Sequence, residues 1–166
     1  AFTDYFFFSE ARMERTEKTI EVNAPVGVVF GLYSDFERFP EWMKSVKEVR
    51  KSGERMTRWI AEAPLMNVEW EAETTTFEEN HKLAWRTVRG DVQMEGEVTF
   101  EDAGDGKTRM HFSLNFEPPA GRLGSLVAHL MGSDPAAQVE EDLKRFAQLA
   151  ERQAAEKGDN TEQQAA

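Results

Sequence analysis

Apolar and polar residues change period three times along the chain, and the changes divide it into elements. Residues 16–22 alternate roughly one for one, with Lys18, Ile20 and Val22 on one face, which is the two-residue period of a half-buried strand. Asn23-Ala24-Pro25 then supplies a cap and an early-helix proline. Val26, Val29, Phe30 and Tyr33 follow at three- and four-residue spacing and predict a short amphipathic helix, with a second short helix expected from Asp35. The strand period returns in blocks at 46–49, 56–61, 68–77, 83–88, 92–100 and 108–116. Polar and glycine-bearing clusters separate them at Ser52-Gly53-Glu54, Glu79-Asn80-His81-Lys82, Arg89-Gly90-Asp91 and Gly104-Asp105-Gly106. Strands joined this tightly run antiparallel.

Alternation is cleanest late in the chain. Val92, Met94, Gly96, Val98 and Phe100 share one side of a strand, and Thr108, Met110, Phe112, Leu114 and Phe116 share one side of the next. The opposite sides carry Glu95, Glu97, Thr99 and Glu101, then Arg109, His111, Ser113 and Asn115, so one sheet face meets water and the other needs a cover. The cover is the helical-period segment Leu123, Leu126, Val127, Leu130 and Met131, continuing through Val139, Leu143, Phe146 and Leu149. Gly132-Ser133-Asp134-Pro135 predicts a kink or restart within it. Beyond about Arg152 the composition becomes polar and alanine-rich, and a fraying tail is expected.

Bulk composition narrows the function classes. At 166 residues the chain fits one domain, and its net charge of -11 makes the average surface repel phosphate and anionic lipid. Nucleic acid is therefore an unexpected partner, and so is integral membrane association, because no run approaches the roughly 18 apolar residues of a membrane span. The absence of cysteine rules out a disulfide or thiolate cluster and fits a cytoplasmic location. The aromatic-rich start, Ala1-Phe2-Thr3-Asp4-Tyr5-Phe6-Phe7-Phe8, has no basic leader and does not read as a secretory signal. The expected organisation is an N-terminal extension or leader at 1–13, one domain at 14–153 and a polar tail at 154–166.

Several segments together carry a family resemblance. Asp35-Phe36-Glu37-Arg38-Phe39-Pro40-Glu41-Trp42 with Val46 and Val49, Arg58-Trp59, Glu69-Trp70 and Ala84-Trp85-Arg86 form its first half. Phe116-Glu117-Pro118-Pro119, Gly132-Ser133-Asp134-Pro135, Gln138, Glu141-Asp142-Leu143 and Arg145-Phe146 complete it. The combination resembles the START-like (SRPBCC) superfamily of polyketide cyclase/dehydrase and lipid-transport proteins, and is similar to coenzyme Q-binding proteins. That resemblance implies an α+β helix-grip fold, START-like or Bet v 1-like. In it a curved antiparallel sheet of about seven strands wraps around a long C-terminal helix, with two short helices after the first strand. It also implies a cavity between sheet and helix, which periodicity alone does not require.

The expected partner is a hydrophobic small molecule: a lipid, a quinone or a polyketide-like compound. Trp59, Trp70 and Trp85 fall in three candidate strands and would form an aromatic wall, with ordinary core packing as the competing reading. Met94, Met110 and Phe112 belong to the same apolar face. Phe39 and Trp42, around Pro40, are candidates for the cavity mouth, and Leu123, Leu126, Val127 and Leu130 for the underside of the closing helix. Catalysis finds little support. The three histidines, His81, His111 and His129, are scattered on polar positions, no glycine-rich phosphate loop or nucleophile elbow is present, and no cofactor or structural metal is expected. Arg58, Arg86 and Glu69 neighbour the strand tryptophans and so point to the opposite, solvated face. A carrier without catalytic residues is the leading expectation. The alternatives are a cyclase/dehydrase working in the same cavity and an interaction module using the N-terminal aromatics.

Overall fold

The computed structural model describes residues 14–63, 65–117 and 134–165. Within them the chain runs β1 (Glu14–Val22), α1 (Val26–Ser34), a 3-10 helix (Phe36–Glu41), β2 (Val46–Lys51), β3 (Met56–Glu62), β4 (Asn67–Glu78), β5 (Lys82–Gly90), β6 (Gln93–Gly104), β7 (Lys107–Glu117) and α2 (Pro135–Ala165). The strands form one seven-stranded sheet in the order β1-β7-β6-β5-β4-β3-β2, every neighbouring pair antiparallel. The hairpin turns use residues that tolerate left-handed backbone: Asn80 at φ 62° between β4 and β5, and Gly104, Asp105 and Gly106 between β6 and β7.

The sheet curls, and three irregularities set its inner face. A register shift at Lys47 lets Val46 and Val49 both face inward, opposite Ala61 and Trp59. A second shift, at Thr75, re-phases the end of β4, so that Phe77 lies opposite the fully buried Leu83 and packs edge-on against Phe30 of α1 at 5.4 Å. A third, at Val88, leaves that residue exposed between the Ala72–Thr87 and Glu71–Arg89 pairs.

The hairpin of β5 and β6 also parts at its closed end. Five residue pairs, from Lys82–Thr99 to Arg86–Glu95, join the strands. Beyond them β5 follows β4 and β6 follows β7. Asp91 ties the tip to β4 by donating from its amide to the Glu69 carbonyl and accepting the Glu69 amide on its carboxylate. Across the gap the Met94 amide donates to the Thr87 hydroxyl at 3.2 Å.

The terminal helix begins at Asp134-Pro135, where the sequence offers a cap and an early-helix proline; residues 118–133, on which the expected kink or restart depends, lie outside the described residues. Asp134 caps α2 by accepting the amides of Ala136 and Ala137 on its side chain, with Pro135 in the first helical position. Val139, Leu143, Phe146 and Ala150 form the buried stripe. In place of fraying after Arg152, helical backbone continues through Ala165, although 155–165 are exposed. The core lies between this stripe, α1 and the inner sheet face, with Tyr33, Leu83, Met110 and Phe146 among its most completely buried side chains. None of the described helices is long and apolar enough to cross a membrane.

Candidate functional site

Between sheet and helices lies a cavity of about 150 Å³. Its sheet-side wall follows from alternation: Trp59, Trp70 and Trp85 occupy inward positions on β3, β4 and β5 and all reach the cavity. Trp59 and Trp70 are direct cross-strand partners, stacked at 5.7 Å and 12°. The Trp59 indole donates to the Thr57 hydroxyl at 2.8 Å, which fixes the orientation of that ring. Trp85 lies over Gly96 of β6, where even a Cβ would stand 2.5 Å from the indole. Trp85 also faces Phe112 at 6.0 Å and Tyr33 at 6.4 Å. Met94, Phe112, Leu114 and Phe116 add to this side.

The facing wall comes from α1, the 3-10 helix and α2. Phe39 and Trp42 are buried and line the cavity, with Pro40 accommodated inside the 3-10 helix. Tyr33 is fully buried beside them, and burial pushes its phenol well above the ordinary 10, so its hydroxyl stays neutral. Trp42 Nε1 has no hydrogen-bond partner among the described residues, a state that costs about 1–3 kcal/mol for a buried donor.

The structure therefore brings Phe39, Trp42, Trp59, Trp70, Trp85, Met94 and Phe112 together around one space. Met110 is instead wholly buried in the core cluster. It faces the same way as Phe112, but two residues earlier on β7 it is packed into the core cluster rather than lining the cavity. Leu123, Leu126, Val127 and Leu130, like His129, lie outside the described residues. Arg58, Glu69 and Arg86 point outward as expected, paired as Arg58–Glu69 and Arg86–Glu73 at 3.0 Å each. His81 is exposed, and His111 lies on the outer face 2.7 Å from the Thr19 hydroxyl.

Sequence reasoning did not single out the cavity's polar groups. Asp142 lines the wall at 5 % exposure, accepting hydrogen bonds from Gln138 at 3.2 Å, from Arg145 and from the Lys44 amide. Burial raises its pKa above the ordinary 3.8, and the Arg145 guanidinium only partly opposes that rise. Arg145 also donates to the Trp42 carbonyl at 3.0 Å, so a polar knot locks α2 to the end of the 3-10 helix. Thr57 and Thr74 add hydroxyls to the sheet side. The site is an aromatic chamber with a few polar points, among them the ionisable Tyr33, Glu117 and Asp142. Among the described residues no cluster of His, Asp and Glu converges as metal ligands would.

The comparisons agree with this geometry. A protein of unassigned function from Streptomyces lincolnensis is 29% identical over 146 residues, spanning 88% of this chain and 95% of its own. Among solved structures, the Zhui aromatase/cyclase from a Streptomyces species superposes with a TM-score of 0.68 at 17% identity, over 85% of this chain and 95% of that one. A Deinococcus radiodurans protein gives 0.66 at 24% identity over 83% and 98%. A START superfamily protein from Mycobacterium smegmatis gives 0.63 at 19% over 86% and 97%. At these identities the structures show a shared START-like fold. The family model for polyketide cyclase / dehydrase and lipid transport matches residues 13–151, and the chain, with its curled seven-stranded sheet closed by a C-terminal helix, belongs to that family.

Proposed function

We propose that the protein binds and carries a hydrophobic or aromatic small molecule (a lipid, a quinone or a polyketide-like compound) in the cavity between sheet and C-terminal helix. The observation that carries this reading is the aromatic wall: the stacked Trp59 and Trp70 with Trp85 and Phe112 bordering about 150 Å³ of space. Ring faces offer a planar ligand dispersion contact and removal of its apolar surface from water, worth about 25 cal/mol per Å² before the costs of association. The polar points would orient it. The cysteine-free sequence supports a cytoplasmic setting.

Native mass spectrometry of protein isolated from its own host, followed by organic extraction, tests the reading. A co-purifying apolar compound that rebinds and quenches tryptophan fluorescence is expected. Protein that stays ligand-free and also ignores apolar probes would overturn it.

Asp142 favours a second reading, a cyclase/dehydrase-type enzyme in the same chamber. A buried carboxyl on the cavity wall with its pKa raised is suited to moving a proton, and the chamber's shape would position a reactive chain. The resemblance of fold to an aromatase/cyclase points the same way. The two readings separate on Asp142→Asn: carriage predicts unchanged affinity and no turnover in either form, whereas catalysis predicts that only the parent protein converts the extracted ligand.

A further inference from the structure

The volume of the chamber and the stiffness of its walls together limit what it can hold. Its space is about 150 Å³. An apolar cavity of about 150 Å³ holds a single benzene ring, so a larger guest depends on how far the walls can retreat. Trp85 cannot move back towards the sheet, because its ring lies directly on Gly96, where even a Cβ would stand 2.5 Å from it. Trp59 is held by the Trp70 stack at 5.7 Å, by Phe39 at right angles at 5.0 Å and by its hydrogen bond to Thr57. On the facing wall Trp42 packs against Phe39 at 4.4 Å and Phe146 at 5.1 Å. Displacing any of these rings moves backbone or several aromatic neighbours with it. Met43 and Met94 are the yielding members of the lining, with thioether side chains that re-pack at little cost.

We infer that the chamber takes an aromatic compound of one ring or two fused rings, and that Trp85 is the residue that sets this limit. The methionines give room for the second ring, and a third must displace an indole. Behind Trp85 stands the Gly96 backbone with no side chain, so shortening Trp85 opens the chamber down to the sheet itself. The inference rests on the cavity-binding reading and narrows it. A single-ring quinone or a small aromatic polyketide-like compound stays within the class, whereas a long-chain lipid or a large folded polyketide falls outside it.

The graded series phenol, 2-naphthol, 9-phenanthrol and 1-hydroxypyrene, which carries one hydroxyl on one to four fused rings, provides the test. Dissociation constants are measured on the full chain by tryptophan fluorescence quenching. Burial of apolar area alone would tighten binding at every step. The chamber is instead expected to bind 2-naphthol more tightly than phenol, 9-phenanthrol at least tenfold more weakly than 2-naphthol, and 1-hydroxypyrene more weakly still. Palmitate below its micelle concentration is expected to leave bound 2-naphthol in place. In Trp85→Leu the ratio of the 9-phenanthrol to the 2-naphthol constant should fall at least fivefold; Trp85→Phe, which keeps a ring, should move it the same way and serves if Trp85→Leu fails to fold. Constants that keep falling to 1-hydroxypyrene, or displacement of 2-naphthol by palmitate, overturn the size limit while leaving the cavity reading intact. A ratio unchanged within twofold in the variant overturns Trp85 as its source. Failure of every compound to bind the parent protein overturns the inference and the cavity reading together.

Discussion

Gly96 lies inside a strand pattern and Gly90 in a turn cluster of the sequence, and they fail differently when substituted. A Cβ on Gly96 would meet the Trp85 ring at 2.5 Å and the Ser113 carbonyl at 3.0 Å. The ring is the softer neighbour and belongs to the cavity lining. Gly96→Ala is therefore expected to push the indole into the chamber, costing about 1–3 kcal/mol in urea denaturation and weakening binding of an apolar probe at least tenfold. At Gly90 the backbone sits at φ 129°, and a Cβ would stand 2.4 Å from the Trp70 Cα, where nothing can yield without moving β4. Gly90→Ala should destabilise more than Gly96→Ala, and the opposite order would contradict this account.

Asp142 carries a pH prediction whose sign follows from its raised pKa. The native state holds the proton more tightly than the unfolded chain, so the group's stabilisation is complete below about 3.8 and is lost as pH rises through the elevated native value. Asp142→Asn removes this titration. The stability of the parent protein relative to the variant should thus decline with rising pH across that window in parallel denaturation curves, and a constant difference would count against it. The inward tryptophans were legible because a two-residue period puts Trp59, Trp70 and Trp85 on a covered face. Asp142 was not, because in Glu140-Glu141-Asp142-Leu143-Lys144 a carboxylate is ordinarily solvated. The usable signal was its place between Val139 and Leu143 and Phe146, within the apolar stripe.

Among the elements, α2 divides into a working part and an overhang. From Val139 to Ala150 its stripe is buried, and Glu151 still accepts the Asn23 amide at 3.0 Å. Residues 155–165 are all exposed. Deleting 155–166 is expected to change unfolding free energy by no more than about 0.5 kcal/mol, whereas Phe146→Ala, which removes a fully buried ring beside Tyr33 and Trp42, should cost about 3–5 kcal/mol. Comparable losses in chemical denaturation would refute that division. The strands, turns and helix cap were readable from periodicity and from Asp134-Pro135, since each depends on neighbours in sequence. The shifts at Lys47, Thr75 and Val88 were not, because a bulge answers to the twist of the partner strand.

At the scale of the whole molecule, charge and sheet continuity behave differently. The chain carries a net charge of -11, and its outer sheet face is crossed by exposed pairs such as Arg58–Glu69 and Arg109–Glu101, which contribute little each and weaken in salt. Continuity is the more consequential property. Where β5 and β6 part, the Met94 amide depends on the Thr87 hydroxyl rather than on a strand ladder. Its hydrogen exchange is expected to be faster than that of Val98, whose strand is paired on both sides, and Thr87→Val should speed Met94 further without altering Val98. Equal protection of the two amides would argue against a weak seam.

That seam makes the sheet resemble a book with a short spine. One leaf is β1-β7-β6 and carries Met94 and Phe112; the other is β5-β4-β3-β2 and carries all three strand tryptophans. The binding is the run of five residue pairs from Lys82–Thr99 to Arg86–Glu95. A guest touching both pages would set the angle at which the book stands open, so the breadth of the chamber is a property of two ribbons and their shared fold line rather than of any single side chain.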